Sequence, residues 1–428
     1  MPVRWEFKVD FKNEFSNGNC YGMGMIARLI MFSILIVVMM SHASDDSVVP
    51  LSETDWPLFM KQKVSDPQTV WETHRRAEIV SLFENHIYGK APDDGFQLAF
   101  ERLEEKVLEH LHARRLRLAT HVKTRLGQLT IKTTLFLPIE KGKPSPVFLG
   151  MHLFDSSREI PVIGQPWIGP RGQFPELAKK EPEALLKMIL DRGYGLATID
   201  ANEVDPDEHD GFKNGLHALF HSEKEAPHKK GDWGTLGAWA WGLSRSLDAL
   251  KTLEVVDAKR VIVIGHSRMG KAALWAGAKD ERFAMVISNN SGCGGAAISR
   301  RMKGETVAHI NRVFPHWFCR SFHAYGDREN QQPVDQHMLV ALSAPRPVYI
   351  ASAEKDTWAD PFGEFLSAYY ASEVYRYYEI EGLDKDVRPV LNQSVGDHVG
   401  YHLRTGRHDI TAFDWLKYLE FADRHLEP

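Results

Sequence analysis

The chain contains few cysteines and no long apolar segment, and both absences limit what it can be. Only three of its 428 residues are cysteine, and no C-x-x-C pair or close His/Cys spacing of the zinc type occurs. A disulfide-rich scaffold is thereby excluded, and the sequence predicts no metal site and no cofactor. The longest apolar run, Leu29–Met40, has about twelve residues, which is too short to span a bilayer as a helix.

The sequence also lacks a dense basic tract. The formal net charge is -5, and Lys and Arg gather only in short runs such as His112–Arg117. Nucleic-acid-binding domains concentrate positive charge on one face, so no nucleic-acid partner is expected. The 43% hydrophobic and 25% charged residues suffice for the core and the wetted surface of one large domain.

The N-terminus has the pattern of a signal peptide. Arg28 precedes the apolar run Leu29–Met40, and Ser41-His42-Ala43 then supplies small residues at the cleavage position. Residues 1–43 are therefore predicted to be a leader, and residues 44–428 a single exported domain. The mature protein is expected to be secreted or periplasmic, without stable membrane association once the leader is removed.

Two details of this segment stay open. The stretch before Met25 is long and polar for a leader, so Met23 and Met25 are alternative starts of translation. Cleavage after residue 43 would remove Cys20 and leave Cys293 and Cys319. In an exported protein these two cysteines form either one disulfide or two buried thiols.

Strand-like and helix-like segments alternate along the rest of the chain. Such alternation predicts an α/β fold with a mainly parallel sheet sandwiched between helices, and catalytic groups at the carboxyl ends of its strands. The polar stretch Asn202–Lys230 has the length of a loop insertion over the site, either a solvated lid or, given its acids and histidines, a metal loop. The predicted strands are Arg115–Val122, Leu129–Leu137, Pro146–Leu153, Leu196–Asp200, Val261–Gly265, Ala284–Ser288 and Val348–Ala353, and the predicted helices are Val70–Tyr88, Pro182–Arg192, Thr235–Leu253, Lys271–Ala278, Phe362–Tyr375 and Ala412–Arg424.

The segment Val261–Lys271 carries the strongest functional signal. Four β-forming residues end in Gly265-His266-Ser267-Arg268-Met269-Gly270-Lys271. A strand that turns sharply into a helix with serine at the apex is the nucleophile elbow of an α/β-hydrolase, and small residues permit the crowded turn. The second glycine usually follows the serine by two residues, but Met269 holds that place and Gly270 comes one later.

A serine hydrolase of this fold orders its catalytic triad as serine, acid, histidine. The expected place of the acid is the loop after Val348–Ala353, and Asp356 comes soonest on that loop. Asp360 precedes Pro361 and can equally be the N-cap of the next helix. Asp356 is therefore predicted to be the acid, with Asp360 as the alternative.

Three histidines precede the last helix and are candidates for the base. They are His398, His402 and His408. His408 lies in the last loop before the terminal helix, which is where this fold places its base, so it is predicted to complete the triad with Ser267 and Asp356. His266 adjoins the serine, but neighbouring side chains in an elbow point in different directions.

These residues resemble the glucuronoyl esterases, carbohydrate esterase family 15. The elbow is similar to the family's G-C-S-R-x-G-K signature, and the resemblance covers most of the chain from about Pro146 onward. The other blocks that carry it are Asn290-Ser291-Gly292-Cys293-Gly294-Gly295, Gly304-Glu305-Thr306, Phe314-Pro315-His316-Trp317-Phe318, Asp356-Thr357-Trp358-Ala359-Asp360-Pro361, His398-Val399-Gly400-Tyr401-His402 and Gly406-Arg407-His408-Asp409.

The resemblance implies a serine esterase that cleaves the ester between (4-O-methyl)-glucuronate on xylan and a lignin alcohol through an acyl-enzyme. It implies that Arg268 serves the oxyanion hole with its backbone N–H and its side chain. Lys271, one helical turn beyond the serine, would bind sugar hydroxyls. Glu305 and Trp358 match the family's sugar-contacting acid and aromatic residue, since a carboxylate accepts hydrogen bonds from hydroxyls and an indole offers an N–H and a flat face.

The sequence departs from the family pattern at two positions. Fungal members carry glutamate where this chain has Asn290, and an amide cannot stabilise an imidazolium by charge. The acid must then come from elsewhere, which favours Asp356 and the bacterial branch of the family. His266 replaces the usual cysteine beside the nucleophile and removes a disulfide partner.

Two other functions remain open at this point. Another exported carbohydrate acyl esterase, of the acetyl xylan esterase type, would keep the triad without using Lys271, Glu305 and Trp358 as sugar ligands. A non-catalytic carbohydrate-binding protein would bind glucuronoxylan without turnover, but the complete order of serine, acid and histidine argues against it.

Overall fold

A ten-stranded sheet positions the residues of interest. Its strand order is β1-β2-β3-β5-β4-β6-β7-β8-β10-β9. The six neighbours from β5 to β10 pair in parallel, and the strands outside them pair antiparallel. This confirms the predicted mainly parallel sheet. The strands are β1 Phe96–Leu108, β2 Ala113–Thr124, β3 Gln128–Pro138, β4 Ser145–His152, β5 Gly195–Asp200, β6 Val256–His266, β7 Met285–Asn289, β8 Val348–Ala353, β9 Ser394–Val395 and β10 Val399–Arg404.

This computed structural model describes residues 58–60, 63–139, 143–153, 160, 163, 182–222, 228–384 and 389–426. They all belong to one compact unit, Leu51–Ile168 with Phe174–Pro428. A second unit, Met1–Pro50 with Gly169–Gln173, lies outside the described residues. The predicted signal peptide and Cys20 lie there as well. Among the helices of the described residues, none is both long and apolar enough to cross a membrane.

Both faces of the sheet are buried, as strand β6 shows. Val261 and Val263 point into one apolar core, and Ile262 and Ile264 point into the other. Successive side chains of a strand alternate between the faces of a sheet, so a strand covered on both sides reads as a continuous apolar run. Helices from the described residues cover both faces, which is the layered arrangement of an α/β protein.

The helices follow the predicted segments and add shorter ones. An N-terminal helical stretch from Pro67 to Tyr88 alternates α-helical turns with the π-helical turns Trp71–Arg75 and Glu84–Tyr88. The α-helices are α1 Pro67–Val70, α2 Arg76–Phe83, α3 Pro182–Asp191, α4 Ala201–Val204, α5 His217–Phe220, α6 Thr235–Leu250, α7 Arg268–Lys279, α8 Val307–Val313, α9 Gln336–Ala341, α10 Pro361–Arg376 and α11 Ala412–Leu426.

Candidate active site

Ser267 occupies the sharp turn between strand β6 and helix α7. Its backbone has φ 59° and ψ −130°, a conformation that costs energy for a residue with a Cβ and that marks nucleophile elbows. The turn is so tight that a Cβ on Gly265 would lie 2.0 Å from the Met269 carbonyl oxygen. Glycine is therefore required at position 265, as the sequence motif indicates.

The shifted second glycine of the motif has a packing reason. A Cβ on Gly270 would lie 3.0 Å from Ser288 Oγ and 3.0 Å from the Ser291 Cβ, so helix α7 approaches β7 and the loop after it closely at this point. Met269, at the usual glycine position, is buried in the apolar core. The irregular spacing thus preserves the close packing of helix against sheet.

The structure brings Asp356 and His408 together. His408 Nδ1 lies 2.6 Å from Asp356 Oδ2, and Asp356 is only 4% exposed. Strands β8 and β10 are parallel neighbours, so their following loops meet at one edge of the sheet. Two backbone hydrogen bonds join these loops, from the Glu354 N–H to the Arg404 carbonyl and from the Lys355 N–H to the Gly406 carbonyl, each 2.9 Å.

The His408 ring also lies beside the elbow. Its centroid is 4.6 Å from that of His266, the residue before Ser267. His266 itself is fully buried and its Nδ1 lies 2.6 Å from Asn289 Oδ1, so it supports the site from the core side. The two other candidate bases are engaged elsewhere: His402 Nε2 lies 2.9 Å from Asp414 Oδ1, and His398 Nδ1 lies 2.9 Å from Asp397 Oδ2.

Asn290 contacts the predicted triad acid directly. Its Nδ2 donates to Asp356 Oδ2 at 2.7 Å, the same oxygen that accepts from His408. Asn290 is buried and follows β7 with φ 47°, a left-handed conformation that asparagine tolerates better than most residues. From the sequence, Asn290 is only the replacement of a glutamate found in fungal members. In the structure, its amide group holds the carboxylate of Asp356 in place.

Asp360 has a different partner and is not a side-chain cap. It is the N-cap residue of α10 by position, yet its carboxylate makes no capping hydrogen bond. It accepts instead from Arg301, at 2.7 Å from Nε and 3.3 Å from Nη2. Asp360 is therefore the N-cap by position, as the sequence indicates, while the charge of its side chain is paired with a guanidinium.

A buried carboxyl group that sequence analysis missed supports the loop next to Asp356. Glu364, on α10, accepts from the Gly292 N–H at 3.0 Å and from Ser352 Oγ at 2.6 Å. Complete burial raises the pKa of Glu364 to about 8, and the charge of Asp356 adds to that effect. Burial therefore favours the neutral form of the Glu364 carboxyl group.

On the other side of the elbow, Arg268 is held by a second carboxylate. Its guanidinium forms an ion pair with Asp207 and lies over the Trp317 ring, 4.7 Å from the centroid. Asp207 Oδ1 also accepts from Trp317 Nε1 at 2.7 Å and lies 3.0 Å from His316 Nε2. Burial opposes ionisation, but these hydrogen bonds and the Arg268 charge outweigh it and lower the pKa of Asp207 to about 2.

Asp207 belongs to the polar stretch predicted as an insertion. The described part of that stretch, 202–222 and 228–230, is not only solvated: it contains helix α5 and buried side chains such as His217. Sequence analysis did not single out Asp207 among the acids there. The sequence contains one indication that such an acid is needed: Arg268 follows the nucleophile, and a partly buried arginine needs an anionic partner.

The three predicted sugar-contacting residues are neighbours in the structure. Lys271 is 3% exposed, and its Nζ lies 3.2 Å from Glu305 Oε2 and donates to the Cys293 carbonyl oxygen at 2.5 Å. The Glu305 N–H donates to the Trp358 carbonyl oxygen at 2.8 Å. Trp358 is 46% exposed, an unusual state for so large an apolar ring, so part of its flat indole surface is open to solvent.

The two cysteines of the described residues are both buried and free. Burial raises the pKa of both thiols, so they are protonated and unreactive at neutral pH. Of the two alternatives left open by the sequence, the structure therefore has the pair of buried thiols.

Potential metal ligands gather at two places in the described part of the chain. These are His221 with His228 and Asp232, and Asp397 with His398 and His425. Neither group includes the candidate triad or the residues around Lys271.

The mainly parallel sheet, the covering helices and the elbow define an α/β-hydrolase. The family model described as "Glucuronyl esterase, fungi" matches residues 182–378. The carbohydrate esterase MZ0003, from an unknown prokaryotic organism, is 42% identical over 404 residues, which cover 89% of this chain and 91% of that protein. The 4-O-methyl-glucuronoyl methylesterase of Podospora anserina is 33% identical over 174 residues, or 38% of this chain and 36% of that one.

Solved structures agree with these relatives. The glucuronoyl esterase from Solibacter usitatus has a TM-score of 0.79 and 39% identity, and the match covers 89% of this chain and 100% of that chain. A promiscuous CE15 esterase from a marine bacterial metagenome has a TM-score of 0.75 and 42% identity, covering 87% and 96%. The chain therefore belongs to carbohydrate esterase family 15, and it is a carboxylic ester hydrolase.

Proposed function

We propose that this esterase hydrolyses esters of (4-O-methyl)-glucuronic acid on glucuronoxylan, with lignin alcohols as the natural leaving groups. The observation that carries this proposal is the group of Lys271, Glu305 and exposed Trp358 on the helix and loops that adjoin Ser267. A cation, a carboxylate and a flat indole suit the hydroxyls and ring face of a sugar acid. Family membership supports an ester of glucuronic acid as the substrate.

The proposed reaction begins with attack of Ser267 Oγ on the ester carbonyl. His408 accepts the serine proton at Nε2, and its Nδ1–H donates to Asp356, which stabilises the imidazolium. Asn290 keeps Asp356 in place. The negative charge on the carbonyl oxygen is then stabilised by the Arg268 N–H, at the N-terminus of α7, and by the Arg268 guanidinium.

The attack produces a tetrahedral intermediate. Its collapse breaks the bond to the alcohol, which leaves with the proton from His408, and glucuronate remains esterified to Ser267. Water then attacks the acyl-enzyme with His408 as the base, and the acid product leaves. Asp207 keeps the Arg268 guanidinium oriented through the whole cycle.

The substrate class can be tested with benzyl glucuronate, benzyl galacturonate and an acetyl ester of xylan. We expect turnover of the glucuronate ester to exceed that of the other two by at least about tenfold, since one well-placed polar contact discriminates by this much or more. Faster cleavage of the acetyl ester would replace this proposal with an acetyl xylan esterase. Binding of glucuronoxylan without cleavage would support a carbohydrate-binding protein.

The sugar ligands can be separated from the chemistry with two lysine variants of α7. Lys271→Met should raise KM for benzyl glucuronate and leave cleavage of a small acetyl ester nearly unchanged. Lys279→Met is the matched control, because Lys279 ends the same helix and pairs with Glu84 at 2.5 Å. Equal effects of the two variants on KM would remove Lys271 from the substrate site.

We also propose that the protein is exported and that its mature chain begins near Ser44. The support is the sequence pattern of residues 1–43 alone. Mass spectrometry of material secreted by a bacterial host checks the processing. An N-terminal peptide that contains Leu29–Met40 would contradict it.

A further inference from the structure

Three potential metal ligands come together just before helix α6. One ring nitrogen of His221, one of His228 and one carboxylate oxygen of Asp232 all lie within 4.8 Å of one another. His221 Nδ1 and Asp232 Oδ2 are 3.8 Å apart. Two imidazoles and a carboxylate form a donor set that Zn²⁺ and similar divalent transition metals bind.

The hydrogen bonding of His228 leaves one of its ring nitrogens available to a metal. Its Nε2 lies 2.9 Å from the Trp233 carbonyl oxygen, which can only accept, so Nε2 carries the proton and Nδ1 carries the lone pair. Nδ1 is buried and has no hydrogen-bond partner among the described residues. A buried acceptor without a partner is costly, and a bound cation would remove that cost.

Neighbouring groups fix this ring in place. The His228 ring stacks on Phe212 with centroids 3.8 Å apart and an interplanar angle of 7°. The Trp233 carbonyl that holds His228 also lies 3.0 Å from His217 Nε2, and His217 Nδ1 lies 2.8 Å from Asp205 Oδ1. Metal-bound histidines are typically oriented in this way, through a hydrogen bond from the second ring nitrogen.

The other two groups leave a route to solvent. The side chains of His221 and Asp232 are 16% and 26% exposed. The Lys229 N–H donates to Asp232 Oδ2 at 2.5 Å and orients the carboxylate. An ion can thus enter from the surface, and water can complete its coordination. Ligand atoms of tetrahedral Zn²⁺ are about 3.3 Å apart for bonds near 2.0 Å, so His221 Nδ1 and Asp232 Oδ2, now 3.8 Å apart, must approach by about 0.5 Å on binding.

The second cluster of the described residues, Asp397 with His398 and His425, has no buried ring nitrogen without a hydrogen-bond partner. Asp397 is 59% exposed, and its carboxylate lies 2.9 Å from His398 Nδ1 and 3.6 Å from His425 Nε2. None of its described side-chain atoms is both buried and without a partner. It has the character of a surface carboxylate shared by two histidines, and it provides an internal control.

We infer that His221, His228 and Asp232 form a structural binding site for a divalent transition metal, with zinc as the best match to the donor set. The spacing of the ligands along the sequence is unlike the short zinc motifs, but His221 and His228 lie in the stretch Asn202–Lys230, for which the sequence left open a solvated lid or a metal loop. The metal would join the end of α5 to the segment that leads into α6 at Thr235. A bound metal would thereby stabilise the fold of the stretch Asn202–Lys230, which contains Asp207, the ion-pair partner of Arg268.

The proposed metal site can be tested with the full-length mature protein, stripped of metal with EDTA and dialysed. ZnCl₂ and CoCl₂ serve as the probes. We expect one zinc per chain by calorimetry and by elemental analysis after gel filtration, a higher melting temperature with zinc, and visible absorption bands of tetrahedral Co²⁺. His221→Ala and His228→Ala should each weaken zinc binding by at least about 100-fold, because each removes one of three protein ligands. His398→Ala should bind zinc like the wild type.

Circular dichroism of the metal-free variants controls for folding, and His221→Ala decides alone if His228→Ala does not fold, since His221 is partly exposed. Absence of stoichiometric zinc in the wild type would overturn the site. Loss of zinc in His398→Ala together with its retention in His221→Ala would overturn it equally, and would move the metal to the second cluster.

Discussion

A buried carboxylate, Asp356, and a partly buried one, Asp207, flank the nucleophile elbow, and the proposed mechanism gives them different roles. In the proposed mechanism, Asp356 accepts a hydrogen bond from His408, which becomes an imidazolium when it takes the serine proton. Asp207 pairs with Arg268, which is always charged. Asp356 would therefore stabilise the transition state more than the ground state. Asp207 would stabilise the charge of Arg268 to the same extent in both states. Only a difference between the two states accelerates a reaction, so the same chemical change should cost much more at Asp356 than at Asp207.

The largest effect is expected at the nucleophile that lies between the two carboxylates. Ser267→Ala should lower turnover of benzyl glucuronate by about 10⁴-fold or more, because the hydroxyl activated by His408 is lost. Initial rates measure the loss, and an unchanged melting temperature shows that folding is intact. More than a tenth of wild-type activity would mean that Ser267 is not the nucleophile.

Removal of the charge at Asp356 should cost nearly as much. In Asp356→Asn the imidazolium of His408 loses its counter-charge and the ring its preferred tautomer, which typically lowers turnover by about 10⁴-fold. The loss should be in kcat rather than in KM. Near-normal kcat in this variant would show that another group orients His408.

The position of the negative charge can be exchanged, because Asn290 Nδ2 and Asp356 Oδ2 are 2.7 Å apart. The double variant Asn290→Glu with Asp356→Asn restores a carboxylate and an amide with their places reversed. We expect it to recover at least about tenfold of the activity that Asp356→Asn loses, since a carboxylate can again stabilise the imidazolium. Asn290→Glu alone places two carboxyl groups in contact and should raise the pKa of one of them.

No recovery in the double variant would show that the backbone at position 290, with its φ of 47°, aims the side chain at Asp356 and not at His408. A shift of the pH–rate profile in the single variant is the second measurement. Its absence would mean that Glu at position 290 turns away from Asp356.

The effect at Asp207 should be far smaller. Asp207→Asn keeps an acceptor for Trp317 and His316 but leaves Arg268 without its counter-charge. Loss of a whole oxyanion donor costs about 10²–10³-fold, and Asp207 acts only through such a donor, so we expect about a tenfold loss in kcat/KM. Glu208→Gln, at the exposed neighbouring position, is the control. A 10⁴-fold loss at Asp207 would abolish the proposed difference between the two carboxylates.

The two sides of the elbow were also unequally predictable from sequence. Asp356 follows β8, a continuous apolar run that indicates a buried strand and so places the next loop at the site. Asp207 lies in a polar stretch without periodicity, where several acids are equivalent until tertiary structure brings one of them to Arg268. Local sequence patterns locate residues that directly follow a helix or strand. They do not show which of several acids in a long loop contacts a functional residue.

The strands that were missed show the same limit. Strand β1 carries many charged, exposed residues at the sheet edge and lacks the apolar signal of the central strands. Strand β10 contains His402 and Arg404, whose side chains are buried only because Asp414 on α11 accepts hydrogen bonds from both. A buried polar network depends on partners that are distant in the sequence. A strand that contains such residues therefore resembles a loop when its sequence is considered alone.

The smallest effect on catalysis is expected at Asp360, the alternative acid. Its carboxylate pairs with Arg301 in a largely buried setting, with side-chain exposures of 8% and 12%. Asp360→Asn should leave kcat on benzyl glucuronate within about twofold of the wild type, because neither partner contacts His408 among the described residues. It should lower the free energy of unfolding by about 2 kcal/mol, as expected when a charged hydrogen bond is weakened.

Asparagine adopts the backbone φ of 51° at this position as readily as aspartate does, so the substitution isolates the charge from backbone strain. Urea unfolding measures the stability, and Arg301→Gln is the matched variant, since removal of either partner should cost a similar amount. A large loss of kcat in Asp360→Asn, with Asp356→Asn active, would instead make Asp360 the triad acid. The contrast would then be between Asp360 and Asp207, while the esterase assignment would stand.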